Sequence, residues 1–498
     1  MKKRKLFTEL VLVETDKEIL EEKGKNLFQV DFLKAVMIFL VIFDHMVAWG
    51  VKDQMGVILW ERISIPVFLV IMGFNMGLSF QRRGVSKLKE LYSWSYFKSK
   101  ILRYIVPFLV LYGFSTLIGL AFYQFNITAM YHGQYYPEHG FIQLFTGILP
   151  FWGPGNWFIP VIFGSILIFP LLYWAFTKKP ILTLILCFAV EIIMQLIVFF
   201  VIGQITTWEE AHYYNLFATS VLFYLSAIGL GLWFSFNRKP FSRRNLFIWI
   251  LFPISLTYMI FYQFFDFRFR IGDVPLFRGD YLFLIFPYSA VLFLLVMMIL
   301  PQKSDNKFSR AISLIGKSTY HILLTQMFGF AYIFIWRGPH TYLIDVGFTF
   351  LEALLLIFAW MIFIPFGILW YKMDHEKNII RRLLYYVNFF IVFVGLVHFI
   401  FISIYYILRP HWYSWIPFTL IVILIYGAAG LFIKFVVKKP IKTTILAIWT
   451  SFLVYNFFIA ILYVEILPPT EYLVQNVSTG IFLIFAIIGT FLYYTLRK

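Results

Sequence analysis

The chain has 498 residues, of which 61% are hydrophobic and only 13% charged, about half the charged share of an ordinary soluble domain. That balance excludes a water-soluble globular enzyme and predicts a polytopic membrane protein. The formal net charge of +17 fits basic cytosolic loops lying against anionic lipid headgroups, so no nucleic-acid partner is implied.

The apolar runs are hydrophobic on all faces, so they are read as helices, giving an all-α membrane bundle. Residues 1–27 form a charged segment without the apolar core and cleavage site of a secretory signal, with an amphipathic stretch around 7–22. Fourteen spans follow, at about 30–50, 63–81, 104–125, 156–176, 181–203, 216–236, 245–265, 281–300, 311–336, 346–371, 383–407, 416–437, 441–463 and 474–496. Alternate connections are rich in Lys and Arg: 81–103, 177–180, 237–244, 301–310, 371–382 and 437–442. This alternation predicts both termini in the cytosol, in a plasma membrane of prokaryotic type.

Among the outer connections, 266–280 carries Arg268, Arg270 and Arg278 against Asp266, Asp273 and Asp280. It reads either as a self-neutralised loop or as an anion-binding lip. The stretch 141–158 is too short to cross and is broken by Gly-Pro-Gly, which predicts a re-entrant piece. Its Trp152 and Trp157 belong to an interfacial aromatic belt or face a sugar. The single cysteine, Cys187, excludes a disulfide. His132, His139, His212, His340 and His411 fall in outer loops without zinc spacing, so no metal is expected. His321 and His398 fall inside spans and read as packing residues.

The first span holds the chemistry. Lys34 and His45 lie 11 positions apart, on one helix face and separated by about 16 Å. Lys34 stands at the cytosolic end, with Asp31 one turn before it, and His45 lies too deep to reach the interface. Asp44 beside it needs a partner on another element, because adjacent helical residues diverge. Histidine suits general-base work near neutral pH. A cation at one end and an imidazole at the other suit a long donor with an anionic head, such as acyl-coenzyme A. Glu191 and Glu352 are candidates to orient His45. At the third span, Lys100 and Arg103 are placed to meet one phosphate cluster.

Four stretches carry a resemblance: DFLKAVMIFLVIFDH, ISIPVFLVIMGFNMGLSFQRR, YFKSKILRYIVPF and ISLIGKSTYHILLTQM. In their order they resemble acyltransferase family 3, integral membrane enzymes that O-acylate carbohydrates. The likeness spans about residues 28–372 and implies a ten-helix core. It leaves residues 373–498 as a four-helix addition of unknown role. The resemblance makes His45 the catalytic histidine, with Lys34 as its basic partner, and Lys100 with Arg103 a donor-side site. It implies acetyl-coenzyme A or another acyl-CoA as donor, with a carbohydrate or lipid-linked glycan as acceptor. Asp44 and Glu352 join the candidate catalytic set, and Arg268, Arg270 and Trp157 the candidate acceptor set. Lys34 and Lys100 stand where the family more often has arginine, and Gln326 where it often has histidine. Two other readings stay open. One is a transporter or flippase of a lipid-linked oligosaccharide, which calls for two related halves that the sequence lacks. The other is a lipid-phosphate-dependent glycosyltransferase using Asp53 or Glu61.

Overall fold

A computed structural model of the protein describes residues 27–122, 155–202, 219–272, 274–277, 281–337 and 350–397, with Phe125, Ile127 and Ile344 besides. The expected N-terminal segment, the re-entrant piece up to residue 154 and the last three expected spans lie outside them.

The main helices are α1 (Phe28–Met46), the short α2 (Trp49–Gln54), α3 (Ser64–Arg83), α4 (Leu88–Leu91), α5 (Trp94–Lys100) and α6 (Val106–Phe122). There follow α7 (Phe158–Lys178), α8 (Pro180–Ile197), α9 (Leu225–Phe236), α10 (Leu246–Phe265) and α11 (Phe286–Ile299). Last come α12 (Lys307–Arg337), α13 (Phe350–Asp374) and α14 (Ile379–Val397). A two-stranded antiparallel hairpin, Arg270–Ile271 with Val274–Pro275, sits between α10 and α11. Six stretches among the described residues are long and apolar enough to cross a membrane: Val57–Arg83, Leu88–Leu120, Phe158–Lys178, Pro180–Phe200, Arg243–Phe265 and Leu355–Asp374. Though 19 residues long, α1 carries Asp31, Lys34 and Asp44, and α12 carries Lys307, Arg310 and Lys317. Charged side chains are thus concentrated in α1 and in the first half of α12.

The first expected span ends earlier than its apolar run suggests. Ala48 N–H donates to Ile344 O at 2.8 Å and Ile344 N–H donates to Met46 O at 3.0 Å. These bonds to a distant strand-like residue replace the next helical turn, and α2 restarts at Trp49.

Two compact units are distinguished. The first comprises Met1–Val106, Trp157–Tyr320 and Tyr342–Phe348; the second comprises Pro107–Asn156, His321–Thr341 and Thr349–Lys498. In the first, α3 and α9 touch backbone to backbone. A Cβ at Gly73 would run into the carbonyl of Ile228, and one at Gly231 into the carbonyl of Val70. Gly73 and Gly77 form the small-xxx-small spacing by which helices approach closely in lipid. The basic connection 84–100 is tied down by chemistry that α7 exposes. Pro170 has no N–H, which frees the carbonyl of Ile166. Tyr96 donates its hydroxyl to that oxygen at 2.9 Å, and Tyr92 donates to Leu167 O at 2.6 Å.

In the second unit, α14 packs on α13 through Phe366, Trp370, Phe389 and Phe393. A polar clasp adds to this contact. Asp374 accepts from the Tyr386 hydroxyl and faces His321 Nε2 at 2.7 Å.

Substituting Gly231 with valine forces side-chain atoms against the backbone of α3, and overpacking of this kind costs about 1–3 kcal/mol or more. The expected result is a clear fall in the thermal unfolding midpoint of the detergent-purified protein. Gly113→Ala, at a position with open space around it, leaves the midpoint unchanged.

Candidate active site on the first helix

The buried face of α1 is made by Phe28, Leu33, Met37, Ile38, Val41 and Ile42, which pack on α3 and α11. At the cytosolic end by the sequence reading, α12 comes against it so closely that a Cβ at Gly316 would strike the backbone of Asp31. The side chains of Lys34 and His45 keep only 16% and 12% of their surface exposed. Both are therefore held within protein, about 16 Å apart along the helix.

The end bearing His45 is a charge network. Asp44 Oδ1 lies 2.6 Å from Lys52 Nζ and 3.3 Å from Arg62 Nη2. Lys52 also donates to the main-chain carbonyl of Asp44 at 3.0 Å, one of the carbonyls a helix C-terminus leaves unsatisfied. The chain reversal through α2 brings Lys52 there. Arg62 donates to the Tyr281 hydroxyl at 2.9 Å and lies over the Trp49 ring at 4.1 Å. Glu61, fully buried, faces Arg62 Nε at 3.6 Å and accepts from Ser64 at 3.4 Å. Aromatic rings extend the network: Tyr281 stacks on Trp157 at 5.7 Å, and Trp157 meets Tyr224 at 5.6 Å. His45 Nε2 is 3.8 Å from Asp44 Oδ2. That is beyond hydrogen-bond range, so Asp44 does not orient the imidazole.

The opposite end is cationic. Lys34 Nζ reaches Asp31 Oδ1 at 3.4 Å, and the charges of Arg103 and Lys317 also act on Lys34. Arg103 belongs to a π-turn, Ile101–Ile105, that joins α5 to α6. Lys100, 8% exposed, lies beside the rings of Tyr96 and Tyr104, within electrostatic reach of Arg103 and Arg83. Arg83 in turn lines a cavity of about 370 Å³ with Phe80, Val85, Glu90, Leu91, Ser93 and Ser95.

A family model described as an acyltransferase domain matches residues 27–371. The chain belongs to the acyltransferase 3 family. Comparison with curated proteins and with solved structures returned no match. The matched region opens one residue before α1 and closes in the last turn of α13. Both ends of the first helix therefore lie within the acyltransferase domain of a membrane protein.

The structure brings together Lys34 with Arg103, Lys100 with Arg103, and Asp44 with His45. Trp157 lies in the aromatic row leading from Arg62. Other candidates lie elsewhere. Arg268 and Arg270 both pair with Asp266, at 3.2 and 3.3 Å, on an exposed loop; Asp273, Arg278 and Asp280 lie outside the described residues. Glu191 is fully buried and accepts from the main-chain N–H and the hydroxyl of Ser226, which joins α8 to α9. Its role in the described structure is to link those helices. Glu352 falls in the first turn of α13, and its side chain lies outside the described residues. Gln326 is fully buried in α12.

Sequence reasoning passed over Lys52, Arg62 and Lys317. Lys52 and Arg62 sit in a short connection whose reversal no periodicity reveals. Lys317 stood in a quoted motif without a role.

Removing one partner of a buried ion pair leaves the other charge uncompensated, at a cost of about 3–5 kcal/mol. Lys52→Met leaves Asp44 with Arg62 as its remaining cation and is therefore expected to lower the unfolding midpoint by part of that cost. The double variant Asp44→Leu/Lys52→Met should recover most of the stability, measured by thermal unfolding in detergent.

Proposed function

We propose that this acyltransferase moves an acyl group, acetyl in the first instance, from acyl-coenzyme A to a hydroxyl of a carbohydrate or lipid-linked glycan. The donor enters from the cytosol, the acceptor lies at the outer face of the plasma membrane, and fourteen spans place both termini inside. The observation that carries this reading is the polarity of α1: Lys34, Arg103 and Lys317 gather against the one carboxylate of Asp31, while His45 stands about 16 Å along the same helix.

In this reading Lys34, Lys100 and Arg103 hold the phosphates of the donor, and the pantetheine arm runs along α1. The thioester reaches His45. As general base, His45 takes the proton of the acceptor hydroxyl while its oxygen attacks the thioester carbon. The C–S bond then breaks, and the departing thiolate takes the proton from the imidazolium. In the covalent variant the imidazole nitrogen attacks the thioester carbon and the C–S bond breaks, releasing the thiolate; the acceptor oxygen then takes the acyl group from the acyl-imidazolium, its proton passing to the thiolate and the imidazole being regenerated. Glu352 is the candidate to hold the second ring nitrogen. Trp157 offers a stacking face to a sugar, and Arg268 and Arg270 an anion-attracting rim. No metal takes part.

His45→Ala is expected to lower acyl transfer by about 10²–10⁴-fold in a protein that still folds and inserts. Mass spectrometry of envelope glycans from cells with and without the protein provides the readout, since one mass difference reports both the acyl group and its acceptor. Wild-type levels of modification with the alanine variant contradict the mechanism.

A further inference from the structure

The cationic end of α1 is assembled from three chain segments, and α12 has a larger part in it than a packing helix needs. At Gly316 its backbone touches that of Asp31, which brings Lys317 within electrostatic reach of both Asp31 and Lys34. One turn further, the Tyr320 hydroxyl donates to the carbonyl of Tyr104 at 2.6 Å, and the two rings meet edge-on at 5.1 Å. Tyr104 lies inside the π-turn, next to Arg103, whose guanidinium lies 5.5 Å from the Tyr104 ring. π-turns leave main-chain groups in irregular positions and recur at functional sites. Here one side chain of α12 caps that turn while its neighbour three positions earlier adds a charge to the same cluster.

Lys34 is largely enclosed, whereas Lys317 and Arg103 are exposed to solvent. Three cations share one carboxylate at this point. Such a surplus, open on one side and backed by a buried ammonium, is complementary to an anion with several oxygens.

We propose that Lys317 is a phosphate-binding residue of the donor site, and that Tyr320 is a positioning residue that fixes the π-turn so that Arg103 and Lys317 grip the same phosphate group. This deepens the donor reading above and rests on it for the identity of the ligand. The phosphate chemistry itself is common to a coenzyme A head and a lipid headgroup.

The test is equilibrium binding to the full-length protein in nanodiscs, with acetyl-coenzyme A and inorganic pyrophosphate as separate probes. Discs of neutral and of anionic lipid are compared. Lys317→Gln is expected to weaken both probes roughly tenfold. Tyr320→Phe keeps the ring but loses the hydroxyl, and should weaken both by a smaller factor. Lys89→Gln, an exposed lysine elsewhere on the same basic connection, serves as control and changes neither. Tight pyrophosphate binding through Lys317 without acetyl-coenzyme A binding keeps the phosphate site and removes the donor reading. Phosphate binding that disappears in anionic discs and does not return with excess acetyl-coenzyme A assigns the site to lipid and also removes that reading. Unchanged affinity for both probes in a well-folded Lys317→Gln protein, or failure of the wild type to bind either, overturns the proposal.

Discussion

A carboxylate enclosed at the end of a membrane helix survives as a charge only with cations in direct contact, and Asp44 is held by Lys52 and Arg62. That constraint shapes the end of the first unit where His45 lies. The reversal of the chain through α2 returns Lys52 to both the carboxylate and the main-chain carbonyl of Asp44. The same constraint accounts for Arg62 preceding α3, where Glu61 faces it, and for Tyr281 and Trp49 surrounding the guanidinium with polarisable rings. His45 borders this network without a hydrogen bond to Asp44. The imidazole therefore lies beside Asp44 without being held by it.

Much of this was legible from spacing alone. The 11-residue interval between Lys34 and His45 needs only helical geometry to put both on one ridge, and α1 is continuous across it. Divergence of neighbouring residues on a helix foretold that Asp44 looks to another element rather than to His45. The partners themselves were hidden. Lys52 and Arg62 reach Asp44 through a reversal of the chain, which is tertiary information, and in sequence they look like loop charges. Glu191 misled for the opposite reason. A lone acid in an apolar run signals that a partner exists without saying which, and Ser226 supplies it. The first span was drawn too long because Val47 and Ala48 are as apolar as the helix before them. Only their bonding to Ile344 separates them.

The family match closes at residue 371, yet the described structure does not treat that position as a boundary. Asp374 and Tyr386 lie beyond it and form a clasp with His321, inside the matched region. Phe389 and Phe393 press on Phe366 and Trp370. The first helix after the match is thus part of the second unit's packing. The Tyr–Asp–His chain ties α12, α13 and α14 together. The addition therefore begins as an extension of the acyltransferase domain's own helical packing.

The central claim is that α1 carries a donor from a cationic cytosolic end to an imidazole that serves the other face. Sealed inverted membrane vesicles from cells making the protein test it most directly, with acetyl-coenzyme A labelled in the acetyl group supplied to the exposed cytosolic face. The account predicts label accumulating on glycan inside the lumen, protected from external glycosidase, with free thiol released outside and none of it with His45→Ala. Label appearing on the outer, cytosolic side, or transfer that persists without His45, would contradict it.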